Sequence, residues 1–205
     1  MKMQDATVII GICAIDTVPL SFLHAYANLK KPAKYGLSST DKKPLDAARN
    51  FLAEKLPDDA DYLLFLDSDT LPPSDAIEKL LAHDKPIVGG LYFMRMPPFW
   101  PLMMKRDAAT GLYAAIKDWP ENSLVEVDST GLGCLLIKRE VFEKIEKPWF
   151  KFEPPLSEDF YFCRRARDAG YKIFVDTSVK CEHLGTFSVN HEFYMRNVKN
   201  NPQFR

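Results

Sequence analysis

Residues 62–69 read Tyr-Leu-Leu-Phe-Leu-Asp-Ser-Asp. A continuous apolar run bounded by polar breakers suits a strand buried on both faces, the setting of a central strand in a parallel sheet covered by helices. The run ends abruptly at Asp67, Ser68 and Asp69. In open α/β sheets ligands bind beyond the carboxyl ends of the strands, so the carboxylates fall where chemistry is expected.

The flanking sequence fits that arrangement. Thr7–Ala14 is β-branched and apolar and predicts a first buried strand. Leu20, Leu23 and Ala27 recur at helical spacing, and Tyr35–Ser38 predicts a second short strand. Pro44 opens a helix to about Leu56, with Leu45, Ala48, Leu52 and Leu56 on one face. Ser74 or Asp75 can cap a helix that buries Ile77, Leu80 and Leu81, and Pro86–Phe93 predicts another strand. Strand and helix alternate, which argues for an α/β class with a mostly parallel central sheet.

After Met94 the pattern changes. Residues 94–101 form an aromatic-dense loop, and Leu102–Lys105 and Leu112–Ile116 predict short strands around Thr110-Gly111. Val125–Val127 and Cys134–Ile137 are further strands, and Arg139–Ile145 is a short helix. Ser157 caps a helix through Ala169, ended by Gly170, and Lys172–Val175 and Val179–Glu182 are late strands. We therefore expect one domain over residues 1–185, with a donor half at about 1–95 and a smaller mixed half at about 96–185. Residues 186–205 are expected to form a mobile C-terminal lid.

Composition excludes several classes. The 205 residues carry 27 Lys plus Arg against 28 Asp plus Glu, a net charge of −1, so no global field holds nucleic acid or an anionic membrane. The hydrophobic fraction of 46% supports a sizeable core. No apolar run approaches the roughly 20 residues of a membrane helix, and Lys2 alone makes a poor signal-peptide start. Cysteines stand at 13, 134, 163 and 181 with no C-x-x-C pair. That excludes a zinc knuckle and points to a soluble protein of a reducing, cytoplasmic compartment.

Five features can carry chemistry, each with a plainer alternative. Asp67 and Asp69 supply hard oxygen ligands for Mg²⁺ or Mn²⁺ with a phosphate, or they are a solvated turn. Ser157-Glu158-Asp159 offers a general base, or only capping carboxylates at a helix start. Its helix N terminus is expected to keep Asp159 ionised with a low proton affinity. His183 is a metal ligand or a hydrogen-bonded structural residue. Arg49 shares a helix face with Leu45 and Leu52 and so needs an anionic or aromatic partner. Gly131 and Gly133 permit close backbone approach to a ligand, or they mark a bulge.

The order of these features is more specific than any one of them. The series Ala48-Arg49-Asn50, YLLFLDSD, DSTGLGCLLIKREVF, SEDFYFCRRARDAGYKIFVD and VKCEHLG resembles the GT-A glycosyltransferases, especially the inverting family 2 type, over about residues 6–185. The resemblance implies a Rossmann-like half that holds a nucleotide-diphosphate sugar, of UDP or GDP type. It implies transfer to a sugar or other hydroxyl acceptor, with Mn²⁺ or Mg²⁺ as cofactor and inversion at the anomeric carbon. It assigns Ala14, Asp16, Arg49, Asp67, Ser68 and Asp69 to the donor, and Asp67, Asp69 and His183 to the metal. Asp159 is then the catalytic base with Glu158 beside it, while Gly133 and Trp149 lie on the acceptor side.

The Asp-rich signature after the second strand has only a faint counterpart at Ser38–Asp41, which leaves the base open. The Gln-x-x-Arg-Trp motif of processive synthases is absent. A nucleotidyltransferase or metal phosphohydrolase also uses paired carboxylates, but it calls for a Gly-rich phosphate loop or more acidic ligands than this chain shows. A non-catalytic nucleotide-sugar module would not require the base and metal elements together.

Overall fold

The computed structural model describes residues 5–185. Its elements in chain order are β1 (Thr7–Cys13), α1 (Leu20–Asn28), β2 (Lys34–Thr40), α2 (Leu45–Glu54), β3 (Tyr62–Asp67), β4 (Thr70–Leu71), α3 (Ala76–Ala82) and β5 (Ile87–Leu91). There follow β6 (Met103–Arg106), β7 (Tyr113–Ala115), β8 (Leu124–Val127), β9 (Ser129–Thr130), β10 (Cys134–Lys138), α4 (Arg139–Lys144), α5 (Glu158–Asp168), β11 (Ile173–Lys180) and β12 (Glu182–His183).

The apolar run of β3 lies inside a seven-stranded sheet of order β2-β1-β3-β10-β5-β11-β8. β1 runs parallel to both β2 and β3, and β5 runs parallel to β11. β10 and β8 are antiparallel to their neighbours, so the sheet is mostly parallel, as expected. Alternate residues of β3 feed opposite cores. Leu63 and Phe65 pack with Ala48 and Leu52 of α2, Phe142 of α4 and Phe162 of α5. Tyr62, Leu64 and Leu66 pack with Phe22 of α1 and Ile77 and Leu80 of α3. A strand that is apolar on both faces is thereby covered on both faces.

The central sheet draws strands from both sides of residue 95. The remaining pairings are a three-stranded antiparallel sheet β7-β6-β9 and the short pair β12-β4. The residues expected to form a C-terminal lid, 186–205, lie outside the described ones. No helix among the described residues is long and apolar enough to cross a membrane. All four cysteines are buried free thiols.

Local differences from the sequence reading have physical reasons. In α1 it is Phe22 that is buried, while Leu20 and Leu23 are 66% and 50% exposed. Helical spacing alone did not reveal which side faces the sheet. The two late strands are one strand, β11, whose register shifts between Asp176 and Lys180. Asp176 accepts from the Ser178 amide and pairs with His83, so a polar interruption that reads as a break is absorbed as an irregularity. Neither Asp75 nor Ser157 uses its side chain as a cap. Asp75 pairs with Lys79 at 2.9 Å, and the Ser157 hydroxyl donates to Asp159.

The end of α5 does follow expectation. Gly170 has φ +90°, its amide donates to Arg167 O, and the Tyr171 amide donates to Ala166 O. That is the double bond pattern of a Schellman stop. A Cβ at Gly170 would meet no neighbour within 4 Å, so a substitution there tests backbone conformation alone. Gly170→Ala is expected to cost about 1–2 kcal/mol, the left-handed penalty of an L residue. Urea unfolding with an unchanged midpoint would contradict this.

Candidate active site at the strand ends

β1 has β2 on one side and β3 on the other, so the chain reverses its direction of sheet growth there. Beyond the carboxyl ends of such neighbouring strands a crevice opens. A cleft of ≈ 460 Å³ lies against Ala14, Asp16, Phe22, Tyr26, Leu37 and Thr40. A second of ≈ 350 Å³ lies against Ala14, Lys43, Asp67, Ser68, Asp69 and Arg95. A third of ≈ 650 Å³ shares Asp69 and Arg95 with the second and reaches Leu184 and Gly185. The expected donor residues Ala14, Asp16, Asp67, Ser68 and Asp69 are therefore gathered at one rim.

Asp69 and His183 meet because β4 pairs antiparallel with β12, which sets His183 opposite Thr70. The Leu184 amide donates to Asp69 O at 2.7 Å and locks that crossing. His183 Nδ1 lies 2.7 Å from the Phe93 carbonyl, which can only accept, so Nδ1 carries the proton. Nε2 is left facing Asp69 Oδ2 at 3.5 Å. Arg95 Nη1 donates to the same oxygen at 2.6 Å. Burial alone would raise the Asp69 carboxyl, but His183 and Arg95 outweigh it and hold it below its usual value. Burial would lower His183, and the facing Asp69 with the Phe93 carbonyl raises it instead.

Asp67 points elsewhere. Its Oδ2 accepts from Arg49 Nη2 at 3.0 Å, and its Oδ1 is buried without a partner among the described residues. The expected three-residue metal cluster of Asp67, Asp69 and His183 is accordingly not assembled. No group of three His, Cys, Asp or Glu side chains that could hold a metal occurs among the described residues. Asp69 with the Nε2 of His183 remains a two-ligand set of one oxygen and one nitrogen. The Nδ1–H to carbonyl bond orients the imidazole as an outer hydrogen bond does in metal sites.

Arg49 is also displaced from its expected role. It is 2% exposed and its Nε donates to Glu158 Oε1 at 3.1 Å while Nη2 holds Asp67. It does not face the donor clefts as a ligand-binding cation. Its charge is spent inside the protein, where burial demands anionic partners. Asn50, the next residue of α2, donates to Phe150 O at 2.7 Å and accepts from the Trp149 amide at 3.0 Å. One turn of α2 thus grips both the segment before α5 and the first residue of α5.

Asp159 stands in that first turn. Its Oδ1 accepts from the Ser157 hydroxyl and from the Phe160 amide, and Oδ2 makes no hydrogen bond among the described residues. The helix N terminus was expected to keep this carboxyl acidic. Burial dominates instead and raises its pKa above the ordinary 3.8, against the lowering pull of Ser157 and Arg49. Burial raises Glu158 too, and the neighbouring Asp159 charge adds to it.

Two acceptor-side assignments change. Trp149 is 5% exposed, and its indole N–H is shared between Phe142 O at 2.9 Å and Ile145 O at 2.8 Å. It is a core residue without a free face. At Gly133 the close approach is made by protein. The Gly133 amide donates to the Tyr92 hydroxyl at 2.9 Å, and an added Cβ would lie 2.5 Å from Thr70 Oγ1. Gly131 serves the same packing, since its Cβ would fall 2.0 Å from the Tyr92 oxygen. Phe93 and Trp100 keep 41% and 42% of their surface exposed.

Sequence reasoning missed Arg95, Lys43 and Tyr92. Arg95 lies in the aromatic-dense loop, and the pairings of Met94 N with Trp100 O and of Leu102 N with Tyr92 O fold that loop back on itself and bring Arg95 to Asp69. The basic dipeptide Lys42-Lys43 ahead of Pro44 was a usable signal for Lys43.

No family model matches the chain, and no curated protein matches its sequence. Solved structures do. A197 from STIV superposes with a TM-score of 0.65 at 25% identity, covering 88% of this chain and 86% of that one. GalNAc-T7, solved with UDP, GalNAc and Mn²⁺, superposes with a TM-score of 0.67 at 11% identity over 89% of this chain. The matched region is 44% of GalNAc-T7, so this chain spans less than half of that protein. The fold is GT-A-like, the likeness covering 88–89% of the chain.

The buried ion cluster gives the site's first prediction. Removing one partner of such a cluster strands the others in a poorly solvating interior. Arg49→Met is expected to lower stability by about 3–5 kcal/mol. A loss under about 1 kcal/mol in urea unfolding, the level of an exposed pair, would show that the cluster is solvated.

Proposed function

We propose that the protein is a metal-dependent glycosyltransferase that moves a sugar from a nucleotide-diphosphate sugar to an acceptor hydroxyl with inversion. The observation that carries this reading is the Asp69–His183 pair, whose aspartate lines two of the strand-end clefts. An imidazole nitrogen and a carboxylate oxygen that face each other at 3.5 Å are a ready ligand set for a divalent cation. The GT-A-like fold supplies a crevice of the right kind beside it.

Asp69 and His183 would hold Mn²⁺ or Mg²⁺, with diphosphate oxygens and water completing the shell. The cation supplies charge compensation for the departing nucleoside diphosphate. Lys43 and Arg95 line the same cleft and add positive charge toward the phosphates. The cleft against Phe22, Tyr26 and Leu37 gives the nucleoside an apolar seat, with Ser39 and Asp41 at hand to read a base of UDP or GDP type.

Asp159 acts as general base. The acceptor oxygen attacks the anomeric carbon as the bond to the diphosphate breaks. The bonding pair leaves with the nucleoside diphosphate, and the acceptor proton passes to Oδ2 of Asp159. A raised pKa suits this role, because a carboxylate of higher proton affinity is a stronger base. The exposed rings of Phe93 and Trp100 offer faces for the sugars.

Two measurements test the reading. A thermal-shift screen of nucleotide sugars should show stabilisation by one nucleoside diphosphate class, and only with Mn²⁺ present. At a ligand concentration 100 times Kd the gain is about 2.7 kcal/mol. Equal shifts without metal, or none with any donor, would sink it. Asp159→Asn should lower transfer by about 10²–10⁴-fold at nearly constant donor affinity. The base must be ionised, so activity should fall as pH drops through a midpoint above the ordinary 3.8. A wild-type rate in the variant, or product that retains the donor's anomeric configuration, would refute the assignment.

A further inference from the structure

Arg49 is a buried cation that reaches two elements at once. We infer that Arg49 is the positioning residue of the Asp159 base: through Glu158 it fixes the first turn of α5, and through Asp67 it ties that turn to the donor-side end of β3. The kinetic part of this inference rests on the glycosyl-transfer reading, and the structural part does not.

The geometry supports it in three ways. Nε of Arg49 takes Glu158 at 3.1 Å and Nη2 takes Asp67 at 3.0 Å, so one planar group sets the spacing between strand end and helix start. A planar fork with fixed donors imposes that spacing in a way a flexible ammonium does not. Next, among the described residues Asp159 is hydrogen-bonded only within its own turn, by Ser157 and the Phe160 amide. Its location therefore follows wherever the turn is anchored, and the anchor is the adjacent Glu158. Last, Asn50 pins Trp149 and Phe150 from the same turn of α2, so the run leading into α5 is registered against the same helix.

The charges around Asp159 give the inference a readout that mere structural support would not move. Arg49 from α2 favours its ionised form, and Asp67 from β3 opposes it. Glu158 and Asp159 repel each other within α5. The buried Tyr92 hydroxyl after β5 and the Cys163 thiol of α5 face the same carboxyl, and the Ser157 hydroxyl bonds it. Neutralising Glu158 should therefore move the acid limb of the rate to lower pH, and neutralising Arg49 should move it to higher pH.

The experiment compares full-length wild type with Arg49→Lys, Glu158→Gln and Arg49→Met. Each is followed by pH-dependent kcat, calorimetric donor affinity and amide hydrogen exchange over residues 158–161. Arg49→Lys keeps the charge and loses the fork. Its kcat should fall about tenfold or more, short of the roughly 10²-fold cost of a 1 Å misplacement, while donor affinity stays within about threefold. Exchange across the first turn of α5 should quicken in Arg49→Lys and Glu158→Gln. The acid limb should drop in Glu158→Gln and rise in Arg49→Met. If Arg49→Met does not fold, the other two variants carry the test.

Wild-type kcat and acid limb in both Arg49→Lys and Glu158→Gln would overturn the inference, and so would unchanged exchange in both. Wild type that binds no nucleoside diphosphate and transfers no sugar would instead remove the functional reading. The exchange measurement then decides the positioning role by itself.

Discussion

The scaffold behind the strand ends depends on one buried guanidinium. Arg49 sits at 2% exposure between the carboxylates of Asp67 and Glu158. Burial by itself would make its proton easier to lose, but the carboxylates of Asp67 and Glu158 outweigh that and keep it charged. The cluster is imperfectly satisfied, since Nη1 of Arg49 and Oδ1 of Asp67 have no partner among the described residues. Such a cluster adds little net stability over well-packed apolar groups. What it fixes is register: α2, β3 and α5 share one point, and close by Phe65 meets Phe150 edge to face while Phe150 stacks on Phe162.

The site is divided into two charge clusters with different jobs. Arg49 and Glu158 face inward and hold the scaffold, with Asp67 reaching from the cleft wall to pair with Arg49. Asp69 and Arg95 line the clefts, with side chains 29% and 56% exposed, and His183, 16% exposed, stands behind Asp69. The two carboxylates of the Asp-Ser-Asp signature are thus split between structure and ligand, because the chain turns between β3 and β4. That split accounts for the absence of a ready three-residue metal cage among the described residues. It also leaves room for the substrate's own phosphates as ligands, which makes cation and nucleotide binding mutually dependent in the proposed reaction.

Much of this was legible in the sequence because the strongest signals are local. The uninterrupted run of β3, the Gly170 stop and the alternation of strand and helix each follow from a few adjacent residues. The antiparallel insertion of β10 between β3 and β5 was not legible, since no local pattern states which strand neighbours which. The burial of Arg49 was half visible: its helix face demanded an anion, but the identity of Asp67 and Glu158 needed a contact 109 residues away in the chain. Trp149 misled because an aromatic beside a candidate base reads equally well as a sugar platform or as core. The proton affinity of Asp159 was misjudged because helix-end stabilisation is visible in sequence while desolvation is not.

The central claim is that Asp69 and His183 together form the protein's half of a divalent cation site that a nucleoside diphosphate completes. Electron–nuclear double resonance of Mn²⁺, added with nucleoside diphosphate to protein labelled with ¹⁵N-histidine, tests it directly. The account predicts a histidine nitrogen coupling that appears only with the nucleotide and vanishes in His183→Ala, together with phosphorus couplings from the diphosphate. A spectrum with phosphorus couplings but no histidine nitrogen, or one unchanged in His183→Ala, would contradict it.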